Sequence, residues 1–143
     1  MPTRTAEAEW KGDLQRGNGH MNFGSGAFDG PFDFRSRMTD GKGTNPEELL
    51  GAAHAGCFSM ALAAQLKNAG FKPERVHTTA TVHFDQIGGN WTIHRIDLDT
   101  EAAVARIEPL DFRKRAEDVK KNCPVSRALT GVAINLTAKL VAS

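Results

Sequence analysis

Tyrosine is absent from the 143 residues, and cysteine and tryptophan occur only twice each, so eight phenylalanines carry most of the aromatic content. Two cysteines are too few for a disulfide-stapled scaffold in a chain of this size, which leaves them as core thiols or as a redox or catalytic pair. No charge excess exists either: 18 Lys and Arg face 17 Asp and Glu. That balance removes the electrostatic case for nucleic acid or an acidic membrane surface as a partner. MPTRTAEAEWKGD at the start has no apolar stretch of the kind a secretory signal needs, so the expected location is cytoplasmic. There is no internal repeat and no low-complexity tract. The length suits one domain, 1–143, with a real core.

What is present is organised around Asn45 to Gly70, NPEELLGAAHAGCFSMALAAQLKNAG. Asn45 suits a helix cap, Pro46 the first helical position, and Glu48 the place of a capping-box acid. Lys67 in the last turn and Gly70 as a left-handed cap close the helix. Its apolar residues fall in nearly every direction, interrupted by His54, Ser59 and Gln65, which predicts a helix buried on all sides. It is too short, too rich in Ala and Gly, and too interrupted for a membrane span. Cys57 lies at its centre.

Before this helix, Thr3–Lys11, Gln15–Gly26 and Phe28–Met38 read as three strands, the second bent at its glycines. After it, Val76–Ile87 and Trp91–Ala103 alternate around Gly88-Gly89-Asn90 and predict a β-hairpin. Pro109–Asn122 reads as an amphipathic helix with Leu110, Phe112, Ala116 and Val119 inward. Pro124–Leu129 reads as a short helix and Gly131–Val141 as a last strand. The order βββ-α-ββ-α-α-β implies an α+β fold, an antiparallel sheet wrapped on the central helix.

Cys57 in an apolar helix has the surroundings of a core thiol, and burial raises a thiol pKa. It lies three turns beyond the helix start, out of reach of the macrodipole. A reactive Cys57 therefore requires a cation from another segment, and Arg35 and Arg37 are the candidates. Cys123 precedes Pro124 and falls at a helix cap, where thiolates are favoured, so local reasoning makes it the more acidic thiol. His54 and Cys57 at i, i+3 could serve a metal together with Cys123 and His20 or His83, although no CxxC or HxxxH spacing supports such a site. His54 also has the spacing of a base for Cys57, without an evident orienting acid. Glu47, at the second helical position, is where a carboxylate is favoured in any case. The glycines at 17, 19, 24 and 26 follow no apolar strand and open no helix, which excludes a phosphate loop.

GTNPEELLGAAHAGCFSMAL at 43–62, NCPVSRAL at 122–129 and WKGDLQRGNG at 10–19 resemble the OsmC/Ohr family of organic hydroperoxide reductases, in its osmotically inducible OsmC branch. The resemblance covers essentially the whole chain. It implies a single OsmC-like domain, 1–143, with an antiparallel sheet around a long buried helix, in an intertwined homodimer. By position, Cys57 would be the peroxidatic thiol and Cys123 the resolving one. Arg37 would stabilise the thiolate and Glu47 would orient Arg37, with Arg35 the alternative under a shifted strand register. The implied reaction reduces an organic hydroperoxide to an alcohol through a Cys57 sulfenic acid and a Cys57–Cys123 disulfide. An external dithiol, in the family typically a lipoylated protein, then reduces the disulfide. No cofactor or metal is implied, and the implied role is protection against oxidative and osmotic stress. The competing expectation is a metal- or small-ligand-binding α+β protein whose cysteines are structural.

Overall fold

A computed structural model describes residues 1–142, and these form six strands and four helices that fall into two compact units, 1–49 and 50–142. In the first unit, β1 (Ala6–Lys11), β2 (Asn18–Phe23) and β3 (Asp29–Phe32) make an antiparallel meander in the order β1-β2-β3. Gly19 sits opposite both Trp10 and Phe32 in the register. A β-carbon there would meet Phe32 at 2.5 Å and Trp10 at 2.7 Å. Only hydrogen lets those two rings close over the strand, 5.4 Å apart between centroids.

The expected third strand, Phe28–Met38, is two elements: β3 stops at Phe32, and Phe34–Met38 forms a short helix, α1. The reason is local. Asp33 accepts from the Ser36 amide at 2.8 Å, and the Ser36 hydroxyl accepts from the Asp33 amide at 2.9 Å, a complete capping box. Arg35 and Arg37 therefore stand on a helix, not a strand.

α2 (Pro46–Asn68) runs 23 residues, with the Glu48 amide donating to Asn45 Oδ1 at 2.7 Å. It ends as its sequence requires: Gly70 takes φ +94°, and the Phe71 amide donates to the Leu66 carbonyl at 2.9 Å. Burial on all sides is not what the chain achieves. Gly51, His54, Phe58, Leu62 and Leu66 form one buried stripe at spacings of three and four, whereas Ala52, Ala53, Gly56, Met60 and Ala64 face outward. Met60 is 76% exposed. By length and composition α2 could cross a bilayer, but its buried stripe packs into a protein core.

The second unit holds that core. β4 (Pro73–Ile87) and β5 (Asn90–Val104) make the expected hairpin, closed by Gly88 and Gly89 at φ +59° and +82°. β6 (Ala133–Leu140) pairs with β5 in parallel, so the sheet is not purely antiparallel. The intervening α3 (Pro109–Asn122) and α4 (Pro124–Ala128) supply the long crossover that a parallel pair needs. Phe58, Leu62 and Leu66 of α2 pack with Ile96, Leu98 and Ala102 of β5 and with Phe112, Ala116 and Val119 of α3. Each fully buried Phe or Leu contributes roughly 1.5–3 kcal/mol. Leu110, expected inward, is 60% exposed at the first turn of α3.

Candidate active site

The first unit builds a fixed arginine. The Ser36 hydroxyl donates to the Thr44 carbonyl at 2.7 Å, Asn45 Nδ2 donates to the Ser36 carbonyl at 3.0 Å, and the Thr44 amide donates to the Pro31 carbonyl at 3.0 Å. These bonds pin the loop between α1 and α2 and bring Glu47 beside Arg37. Arg37 Nη2 donates to Glu47 Oε1 at 2.8 Å, and Nε donates to Oε1 and Oε2 at 3.1 and 3.3 Å. Glu47 is buried, while the Arg37 side chain keeps 38% of its surface. A planar guanidinium held through two nitrogens is oriented as well as neutralised. Residues two apart on a helix point nearly opposite ways, and it is Arg37, not Arg35, that takes the carboxylate. Glu48 does not reach back as a capping-box acid; its carboxylate instead accepts from the Thr44 hydroxyl at 3.1 Å.

Beside Arg37 the first unit opens a cavity of about 470 Å³ lined by Trp10, Leu14, Phe32, Phe34 and Met38. Of the phenylalanines leading to Arg37, only Phe32 and Phe34 line it. Phe23 and Phe28 pack on each other instead, with centroids 5.0 Å apart.

The second unit brings the two cysteines together. Both are free thiols, Cys57 half-buried and Cys123 buried, and they are close enough for the Cys123 thiol to act on Cys57. Burial pushes the Cys57 thiol up, a backbone hydrogen bond from Val125 draws it back, and the neighbouring Cys123 pushes it up again. Cys123 does occupy the cap before α4, but its side chain makes no capping bond. Pro124 has no amide hydrogen, and the next amide, that of Val125, serves Cys57. The donor expected to favour Cys123 is thus directed to its partner.

His54 is fully buried, and burial lowers its pKa, which keeps the ring neutral. Its Nε2 lies 2.8 Å from Ser126 Oγ, and Ser126 Oγ lies 3.1 Å from Cys123 Sγ. His54 therefore reaches Cys123 through Ser126 rather than acting on Cys57 as a direct base. Ser126 and Val125 were invisible as site residues in the sequence. Their one signal is position, three and two residues beyond Cys123 in CPVS, where the first turn of α4 curls back. His20 pairs with Asp29 and His83 with Asp97 (2.8 Å), and among the described residues no three His, Cys, Asp or Glu side chains group to hold a metal.

Residues 39–138 match the family described as OsmC-like protein. The match spans Glu47, Cys57 and Cys123 and begins just after Arg37. The chain is 43% identical over 127 residues to peroxiredoxin OsmC of Escherichia coli K12, covering 88% of this chain and 89% of that protein. It is 30% identical over 107 residues to organic hydroperoxide resistance protein-like 1 of Staphylococcus epidermidis, covering 73% and 76%. Among solved structures, the Bacillus subtilis organic hydroperoxide resistance protein OhrB superposes with a TM-score of 0.72 at 22% identity, over 96% of this chain and 98% of that one.

Proposed function

The chain belongs to the OsmC-like family, and on that footing we propose that it is a thiol-dependent peroxidase reducing organic hydroperoxides to alcohols. The observation that supports this reading is a pair of free thiols, Cys57 and Cys123, in one core cluster and near enough to influence each other's ionisation. The Escherichia coli and Staphylococcus epidermidis relatives, a peroxiredoxin and an organic hydroperoxide resistance protein by name, support it.

In this reading Cys57 is the attacking thiol. Its thiolate displaces alkoxide from the distal peroxide oxygen, the alkoxide takes a proton to become the alcohol, and Cys57 is left as sulfenic acid. Cys123 then attacks that sulfur, releasing water and forming the disulfide, a bond that needs Cα atoms within about 7 Å. An external dithiol, of the lipoylated-protein kind, restores both thiols by exchange.

Burial and Cys123 both oppose a Cys57 thiolate, so the reaction needs a cation, and Arg37, held by Glu47, is the proposed one. The apolar cavity beside Arg37 is the proposed seat of the organic substituent. Residues 1–143 are read as a single domain acting in a cytoplasmic homodimer, whose second subunit covers the open face of α2, and its role as protection against oxidative and osmotic stress.

The test is hydroperoxide consumption by the reduced protein with a dithiol present, cumene hydroperoxide beside hydrogen peroxide. The expected result is faster turnover of the organic substrate, since each buried methylene is worth roughly 0.8 kcal/mol. Cys57→Ser is expected to abolish consumption. Activity retained in Cys57→Ser, or a preference for hydrogen peroxide, overturns the reading.

A further inference from the structure

The second unit contains a buried polar chain that the proposed reaction has not used: His54 on α2, Ser126 on α4 and Cys123 between α3 and α4. His54 is 0% and Ser126 7% exposed, and the links are 2.8 Å and 3.1 Å. Two polar groups set in an apolar core alongside Phe58, Leu62 and Val119 are costly unless their hydrogen bonds are complete.

One group is not complete, and it fixes the direction of the chain. Among the described residues, His54 Nδ1 is buried with no hydrogen-bond partner. A ring protonated on Nδ1 would leave a buried N–H unpaired, the more costly of the two defects. Protonation on Nε2 leaves only a lone pair unmatched. The hydrogen therefore sits on Nε2 and donates to Ser126 Oγ. Among the described residues Cys123 Sγ is the one remaining partner of Ser126 Oγ, so the single Ser126 proton is directed to that sulfur. Donation runs His54 to Ser126 to Cys123.

We propose that Ser126 is a catalytic residue of the resolving step, its hydroxyl donating a hydrogen bond to Cys123 as that sulfur becomes anionic, and that His54 is the positioning residue that holds Ser126 in this role. The inference rests on the peroxidase reading above. In the step itself, the Cys123 sulfur attacks the Cys57 sulfur and the S–O bond of the sulfenic acid breaks. The Cys123 thiol proton goes to the departing hydroxide, giving water. Cys123 is oxidised, Cys57 is reduced, and no outside oxidant or base enters. Negative charge gathers on Cys123 as its proton leaves, and a hydroxyl already aimed at it lowers the cost. The Val125 backbone lowers the Cys57 pKa, and the Ser126 hydroxyl lies within hydrogen-bond distance of Cys123.

A neutral His54 fits this role and does not fit that of a base. Burial is the sole cause of its lowered pKa, with no charged neighbour contributing. Among the described residues the other titratable groups near Cys123 are the Cys57 thiol on α2 and Asp118 on α3, which with Cys123 is among the residues lining a shallow cavity of about 400 Å³.

The experiment adds one equivalent of cumene hydroperoxide to reduced protein and follows two rates, peroxide loss and disulfide formation. A dimedone-type reagent traps the intervening sulfenic acid. In Ser126→Ala the ratio of disulfide formation to peroxide loss is expected to fall on the order of tenfold to a hundredfold, the worth of a hydrogen bond to a charged group. The pH profile of disulfide formation should move to higher pH. His54→Leu should lower the same ratio, and His54→Gln should restore much of it, because its side-chain amide donates from nearly the same place without titrating. Ser126→Ala resolving at the wild-type ratio at every pH overturns the inference, and so does His54→Gln as slow as His54→Leu. Ser126→Gly serves as the hydroxyl-free variant should Ser126→Ala not fold. If hydroperoxide does not oxidise wild-type Cys57, the peroxidase reading fails separately. Attack of Cys123 on an added aromatic disulfide in Cys57→Ser protein still decides, since removing the Ser126 hydroxyl must slow it and an unchanged rate overturns the inference.

Discussion

At the scale of single residues, the chemistry depends on which charges meet which partners. Arg37 is gripped by Glu47 through two nitrogens, and under the proposed reaction removing either should act on the thiol by different routes. Arg37→Ala is expected to raise the Cys57 pKa and slow peroxide reduction at neutral pH with the fold intact. Glu47→Ala should do the same more weakly, because it acts through the arginine. Thiolate absorbance against pH, beside the reduction rate, checks both, and an Arg37→Ala protein as fast as wild type moves the role elsewhere. His54 makes a prediction of another kind. Its folded pKa lies below the ordinary 6.5, so below that pH the unfolded chain binds a proton that the folded one refuses. Stability from this group is complete above 6.5 and is lost as pH falls towards the lowered folded value. Comparing urea unfolding of wild type and His54→Gln through that window should show a shallower acid loss in the variant, and identical slopes would refute it. The pairing of Arg37 with Glu47 was legible in the sequence only through family resemblance, and Ser126 was not legible at all. Its role exists only because a helix of five residues turns it back onto Cys123 and His54.

At the scale of elements, the sequence was read best where the code is local. Asn45, Pro46 and Gly70 marked the ends of α2 to within two residues, and Gly88-Gly89 marked the hairpin. Local signals mislead where two codes overlap. Phe32 and Phe34 alternate like a strand, but the Asp33–Ser36 capping box outranks alternation and starts a helix. The parallel β5–β6 pair followed from the α3–α4 crossover, which fixes the return direction without leaving a mark in β6 itself. α2 is the instructive case. Its all-round apolarity was real, yet a single chain buries only the stripe through Phe58 and Leu62, leaving Met60 and the small residues beside it open. If that face is covered by a second subunit, a charge there should break the assembly without touching the core. Met60→Glu is expected to yield a monomer with unchanged far-ultraviolet circular dichroism and much reduced turnover. A Met60→Glu protein of wild-type mass and activity would show that the face is not an interface.

At the scale of the whole molecule, the near-zero net charge and the open apolar face pull the same way. A formal charge of +1 gives almost no long-range repulsion between copies, so nothing electrostatic opposes association. The face itself is made of Ala52, Ala53, Gly56 and Ala64 around Met60, which lets a second backbone approach closely at little cost in side-chain entropy. A helix face of this kind left in water is also an aggregation hazard, which self-association removes. The expected species in solution is therefore a dimer of twice the 15.5 kDa chain mass, seen by light scattering coupled to size exclusion. The proposed chemistry should follow the assembly. Specific activity should stay flat while the dimer persists and fall on dilution at the concentration where the mass falls, in oxidised and reduced protein alike. Mass and activity that part company would separate the two ideas: a fully active monomer leaves the peroxidase reading standing and removes the dimer, whereas an inactive dimer does the reverse.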